Sequence, residues 1–153
     1  MVTVMWSIRG FHLIEVLPED QTFTSEYACV LLDRLDQKIR ELRPKMGLRG
    51  MMIHWDNARP HTASITKEKV RSLGASLLAH PPYSPDLAPS DFFLFGLVKK
   101  RMEGVHVDGA AGIFEAISGI THTIHKEMLV SVFDEWKRRL KDVSESDGGY
   151  LNE

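Results

Sequence analysis

Gly50-Met51-Met52-Ile53-His54-Trp55-Asp56-Asn57 is a short apolar run that opens on a glycine and ends on an Asp-Asn pair. Apolar residues fall on both faces, the pattern of a buried parallel strand rather than a half-solvated one. Asp56 then stands at the strand's C-terminal end, where open α/β sheets bind their ligands. Downstream, Thr62 to Leu73 reads as a helix stopped by Gly74, and Ala75 to Ala79 as a second short strand. Upstream, Val2, Val4 and Trp6 alternate with Thr3, Met5 and Ser7. Arg9-Gly10 supplies a turn and Phe11 to Leu17 is β-rich, so residues 2–17 read as a hairpin ended by Pro18. A helix connects hairpin and strand. Thr24 or Ser25 caps it, Glu26 sits in its first turn, and Tyr27, Leu31, Leu35, Ile39 and Leu42 recur at helical spacing until Pro44 and Gly47.

Further along, His80-Pro81-Pro82-Tyr83-Ser84-Pro85-Asp86-Leu87-Ala88-Pro89-Ser90-Asp91 holds four of the seven prolines. Proline stiffens such a loop and lowers the entropy lost on ordering it. Ser90 is expected to cap the next helix and Asp91 to lie in its first turn, near the positive end of the dipole. Leu94, Leu97, Val98 and Met102 form that helix's expected buried stripe. Two more helices are predicted, over 110–125 and 127–141, the latter with Leu129, Val132, Phe133, Trp136 and Leu140 on its apolar face. The stretch from Val143 is polar and glycine-containing, hence expected to fray. A hairpin feeding βαβ units gives an α/β fold, a mixed sheet with helical cover.

The 153 residues suit one domain with a real core, and 43% hydrophobic and 26% charged residues are ordinary for a globular chain. The net charge of −2 is less basic than a dedicated nucleic-acid binder, so any DNA contact is expected from local patches or from a part of a larger protein not in this sequence. Lys38, Arg40, Arg43, Lys45 and Arg49, or Lys99, Lys100 and Arg101, are such groups, although acids interleave with the first set and a solvated helix face accounts for both. The single cysteine, Cys29, excludes an internal disulfide, fits a reducing compartment and reads as core filler. No apolar run is long enough for a transmembrane helix, and the start has no basic region or cleavage site of a signal peptide. The chain opens directly inside a strand, and its expected location is intracellular.

The chemistry centres on Asp56 and Asp91, with 34 residues between them. A hard divalent cation needs oxygen ligands, and Mg²⁺ takes one or two carboxylates plus waters and phosphate oxygens. Carboxylates converging from a strand end and a helix start can hold ions for phosphoryl transfer. Asn57 could orient a carboxylate or touch phosphate, and Arg59 and His61 could reach a phosphate backbone. Blander readings stand beside these. Asp-Asn after a strand is more often a turn or cap, Asp91 alone a dipole-complementing acid, and Asp86 a turn residue. His54, His61 and His80 lack the spacing of a zinc site.

His54-Trp55-Asp56-Asn57-Ala58-Arg59-Pro60-His61-Thr62-Ala63 and the proline-rich segment ending at Asp91 closely resemble the catalytic core of mariner transposases, of the Tc1/mariner superfamily. The likeness includes the 34-residue spacing and aspartate rather than glutamate at position 91. It extends to Met1–Ser7, Phe11–Ser25, Phe133-Asp134-Glu135-Trp136 and Gly148-Gly149-Tyr150-Leu151. The resemblance implies an RNase H-like fold and cut-and-paste DNA transposition. It implies three aspartates on two Mg²⁺ or Mn²⁺ ions, with Asp56 matching the second and Asp91 the third as catalytic and metal-binding residues. Asn57, Arg59 and His61 are the candidate nucleic-acid-binding residues. DNA (transposon ends and a TA target) and a homodimer are the implied partners, with no membrane, and the nucleus is the expected site in a eukaryotic host.

The family's first aspartate lies on a central strand upstream of the hairpin, so the expected fold is truncated at the N-terminus with that strand missing. The reading is then a partial RNase H-like catalytic domain over 1–143 and a polar C-terminal tail over 144–153. Neither Glu15, Glu19 nor Asp20 replaces the absent carboxylate, and the paired helix-turn-helix domains of the family are also absent. Trp55 stands where many relatives carry a polar residue. Without the central strand, the hairpin and the Met51–Trp55 strand lose a common neighbour, and open edges invite self-association. Three functions compete: an impaired transposase catalytic domain, a non-catalytic domesticated module binding DNA or protein, and a plain α/β nuclease of the same fold.

Overall fold

In the computed structural model, which describes residues 1–146, the apolar run from Gly50 narrows to strand β3 (Met52–Ile53). It pairs in parallel with β4 (Ser76–Leu77), Met52 opposite Ser76 and Ile53 opposite Leu77. The hairpin forms as expected, β1 (Val2–Ser7) against β2 (Gly10–Val16), antiparallel. Its register shifts at Met5/Trp6: Met5 faces Leu13 and Trp6 faces Phe11, so His12 is the extra residue of a bulge. The expected mixed α/β content with helical cover is present, but the strands make two separate two-stranded sheets rather than one.

Helix α1 (Ser25–Leu42) is capped by Thr24, whose side chain accepts a bond from Tyr27 N. Its buried residues Ala28, Leu31, Leu32, Leu35, Asp36 and Ile39 make one stripe. Leu42 is exposed, contrary to the periodicity, because α1 ends there and the chain turns away. The helix predicted from Thr62 breaks at Ala63 into α2 (Arg59–Thr62) and α3 (Ser64–Ser72). Ala63 has an extended ψ of 146°, and buried Thr66 ties the pieces by donating to Pro60 O at 2.6 Å. Gly74 ends α3 with φ +73°, as a helix stop requires.

Ser90 does not cap the next helix. Its hydroxyl accepts a bond from Trp6 Nε1 at 3.0 Å, and the segment Ser90–Phe95 is a π-helix leading into α4 (Gly96–Met102). Of that helix's expected stripe, Leu94 is fully buried while Leu97, Val98 and Met102 are half-buried. Helix α5 (Gly109–His122) and helix α6 (Lys126–Glu145) follow. On α6, Leu129 and Val132 are buried and Leu140 is exposed. The helix runs through Val143 to Glu145, where the sequence predicts fraying, and Gly148–Leu151 lie outside the described residues.

The hairpin sits between two apolar cores. Met5 and Leu13 face α1 and pack with Leu31, Leu35, Ile53 and Val70. Val4, Trp6 and Phe11 face the other way and pack on Leu94, Ile124 and Leu129. Cys29 is half-buried beside α3, its Sγ 3.7 Å from Ile65 O, so it belongs to a helix interface rather than the core. No helix among the described residues is long and apolar enough to cross a membrane.

Candidate active site

Asp56 lies three residues past the end of β3 and folds back on its own turn. Its Oδ1 accepts from Ala58 N at 3.1 Å, an Asx turn, and is 2.6 Å from His61 Nδ1. His61 is held in place by Trp55, whose ring stacks on the imidazole at 4.3 Å and 6°, and by the edge of Phe23. Trp55 therefore has a packing role. Asn57 donates to His80 O at 2.8 Å and joins the Asp56 turn to the proline-rich loop.

Asp91 arrives from the far end of that loop. It shares one groove with Asp56, His80, Pro82, Ser84 and Pro85, and exposed Tyr83 stands at the rim with φ +53°. Desolvation raises the pKa of the Asp91 carboxyl, the charge of Asp56 raises it further, and His80 opposes them. Two carboxylates that repel one another across a groove are a fitting surround for a cation. Asp56 Oδ2 and both carboxylate oxygens of Asp91 take no hydrogen bond among the described residues, so the donor set fits a hard divalent ion. No group of three or more His, Cys, Asp or Glu side chains converges among the described residues.

The supports of this groove come from residues that periodicity marked only as apolar or left unremarked. His54 Nε2 lies 3.0 Å from His80 Nδ1, and Trp136 packs over His54 at 4.9 Å. Burial, then the neighbouring His80, pushes the His54 pKa down to about 4. Helix α6 grips the loop twice: Trp136 Nε1 donates to Leu87 O at 2.8 Å and Arg139 Nη1 to Asp86 O at 3.1 Å. The Arg139 guanidinium also lies 4.3 Å over the Phe92 ring, next to Asp91. The sequence signal for these anchors was a tryptophan and an arginine three residues apart on an amphipathic helix.

Residues 1–49 match the family described as "Transposase (partial DDE domain)". The Mariner Mos1 transposase of Drosophila mauritiana is 36% identical over 99 residues, which span 62% of this chain and 28% of that protein. The crystal structure of the Mos1 mariner transposase catalytic domain superposes with a TM-score of 0.89 at 25% identity, over 99% of this chain and 75% of that one. The chain belongs to the mariner transposase family. The fold is accordingly RNase H-like. The histone-lysine N-methyltransferase SETMAR of Homo sapiens is 37% identical over 105 residues, 68% of this chain and 15% of that protein. This mariner-type chain thus spans less than a third of either sequence relative. Structures of the Mos1 catalytic domain with raltegravir and Mn or Mg match at TM-scores of 0.88 and 0.89.

Proposed function

We propose that this mariner-type chain uses the Asp56–Asp91 groove to hold a divalent cation against a DNA phosphate. The observation that carries this reading is the convergence of two carboxylates from β3 and the π-helix on one groove, with unbonded oxygens on both. Bound Mg²⁺ or Mn²⁺ would polarise a phosphodiester for attack by water or a 3′-hydroxyl. Asp56 and Asp91 would hold it, and His61 would fix the direction of the Asp56 carboxylate. Arg59 is exposed and makes no ion pair among the described residues, so it is available for phosphate. Asn57 and His61, already bonded to His80 O and Asp56, support the groove instead. The named Mos1 structures with Mn and Mg, and a paired end complex with Mn, support the same metal and partner class.

Two carboxylates suffice for one ion with waters and phosphate, while a two-ion centre needs more shared oxygens. We therefore assign this chain metal-assisted contact with a DNA phosphate through Asp56 and Asp91, the chemistry that phosphodiester cleavage requires. Its place of action follows the DNA, the nucleus in a eukaryote.

The test is a thermal melt with and without Mn²⁺, run beside a DNA nicking assay. An ion present at 100 times its Kd stabilises the folded state by about 2.7 kcal/mol. The native chain should melt higher in Mn²⁺, and Asp91→Ala should abolish the rise and any nicking. A melt indifferent to Mn²⁺ would overturn the proposal. Salt-sensitive DNA binding that survives Asp91→Ala, with no nicking, would instead identify a non-catalytic binding module.

A further inference from the structure

Strand β2 has an outer edge, on its far side from β1. Leu17 N donates to Met1 O at 2.8 Å, so Met1 and Leu17 are a hydrogen-bonded pair. By antiparallel alternation Thr3–Glu15 and Met5–Leu13 are too, and the N–H and C=O groups of Ile14 and Val16 point away from β1. No backbone group of another element meets them among the described residues.

Two helices overhang this edge. Lys38 of α1 stands on one side, a turn beyond Arg34, which pairs with Glu15 of β2 at 2.6 Å. Phe114, Thr121 and His122 of α5 stand on the other. With the β2 edge from Phe11 to Ile14 as its floor, the groove between them has a volume of about 380 Å³. One water occupies roughly 30 Å³ of liquid, so there is room for several side chains. The two walls differ in chemistry. Phe114 is 45% exposed and offers an apolar surface. Lys38 offers an ammonium, His12 and His122 add no negative charge, and no carboxylate lines the groove. The partner of Lys38 is Glu41 at 3.1 Å, a pair of side chains both more than half exposed, which water screens and a better-placed acid displaces.

We infer that the outer edge of β2 binds an extended segment of a partner protein in which acidic and apolar residues alternate, paired with Ile14 and held between α1 and α5. This is strand addition, in which main-chain bonds give affinity and side-chain pockets give selectivity. Successive side chains of a strand point to opposite faces, so every second residue meets Lys38 and those between meet Phe114. The floor from Phe11 to Ile14 takes about four residues at roughly 3.4 Å each. The overhang decides against a second copy of this chain, because pairing β2 with β2 brings a second α1 and α5 into space the first two already cover. A wholly apolar strand is disfavoured because it buries the Lys38 ammonium without a partner, the way lysines guard exposed edges. A small ligand leaves the main-chain groups of Ile14 unpaired.

The experiment titrates the full chain, without divalent metal, into a dye-labelled peptide of about six alternating Glu and Val residues and reads anisotropy. A second peptide carries Lys in place of Glu. Two more are N-methylated, one on the glutamates and one on the valines, so that each has a single pairing edge blocked. Amide hydrogen exchange maps the site. The expected result is saturable binding of the Glu-Val peptide, with exchange at Ile14 slowed about tenfold or more. One methylated peptide should bind about tenfold more weakly or worse, and the other like its parent. Lys38→Glu should reverse the preference in favour of the Lys-Val peptide, and Lys38→Gln should abolish it. An unchanged preference in both variants, full binding by both methylated peptides, or no protection at Ile14 would overturn the inference. So would protection of Ile14 by raising protein concentration alone, which would make a second copy the occupant.

Discussion

Asp36 is a carboxylate placed inside the α1 stripe, where an apolar residue would satisfy the helical period. It is 7% exposed and fully engaged: Oδ1 accepts from Leu48 N at 2.8 Å and Oδ2 from Arg40 Nε at 2.6 Å. The bond to Leu48 fixes the turn after α1 and sets the direction in which β3 starts. Gly47 makes this possible, because it adopts φ +51° and a Cβ there would land on Asp36 Oδ1. A left-handed backbone costs a non-glycine residue about 1–2 kcal/mol, and a hydrogen bond to a charged group contributes about 1.5–3. Gly47→Ala should therefore lower stability by about 2–4 kcal/mol, read from urea melts. In an Asp36→Ala background the same change should cost measurably less, since the clash partner is gone. Equal costs in the two backgrounds would dissociate Gly47 from Asp36. Sequence patterning recognised Gly47 only as a helix stop. A side chain that reaches 12 residues ahead to a backbone amide leaves no periodic trace.

At the level of elements, helix α6 decides where the proline-rich loop lies. The hairpin, α1 and the β3–β4 pair were legible because amphipathic period and turn residues act locally. The split of the second helix at Ala63 was not, since Thr66 holds the break through a bond to Pro60 O. Nor was the fate of Ser90, which reads as a cap until Trp6 competes for its hydroxyl from 84 residues away. The aspartates themselves were legible through their motif, but their mutual approach depends on α6 clamping the loop at Leu87 and Asp86. Trp136→Phe keeps ring packing against His54 and Phe133 while deleting the bond to Leu87 O. A net loss of about 0.5–1.5 kcal/mol is expected for such a bond, with faster proteolysis between Pro81 and Pro89. Unchanged proteolysis would show that Arg139 and the prolines hold the loop without it.

For the molecule as a whole, the junction of its two cores passes through the His54–His80 contact. His54 leaves β3, His80 follows β4, and Trp136 covers them from α6. One ring nitrogen donates and the other accepts, an arrangement made by neutral imidazoles. With a folded pKa near 4 against about 6.5 in an unfolded chain, His54 takes up its proton more readily when the chain unfolds. The unfolded state thus gains protons as pH falls between those values, and stability must fall with it. Below about 4 both states are protonated at His54 and its contribution levels off. Glu135, held down to about 2 by its bonds to Arg138 and then Arg139, acts in a lower window, losing its contribution from about 4.5 downward. His12, lowered by burial and then by Arg9, adds a smaller slope in the same direction as His54. Thermal melts from pH 7 to pH 4.5 should show a falling Tm for the native chain and a shallower fall for His54→Phe, with His12 contributing to the remainder. Parallel curves would mean that His54 is as free to protonate in the folded protein as in the unfolded one, and that the junction between the cores does not depend on its neutrality.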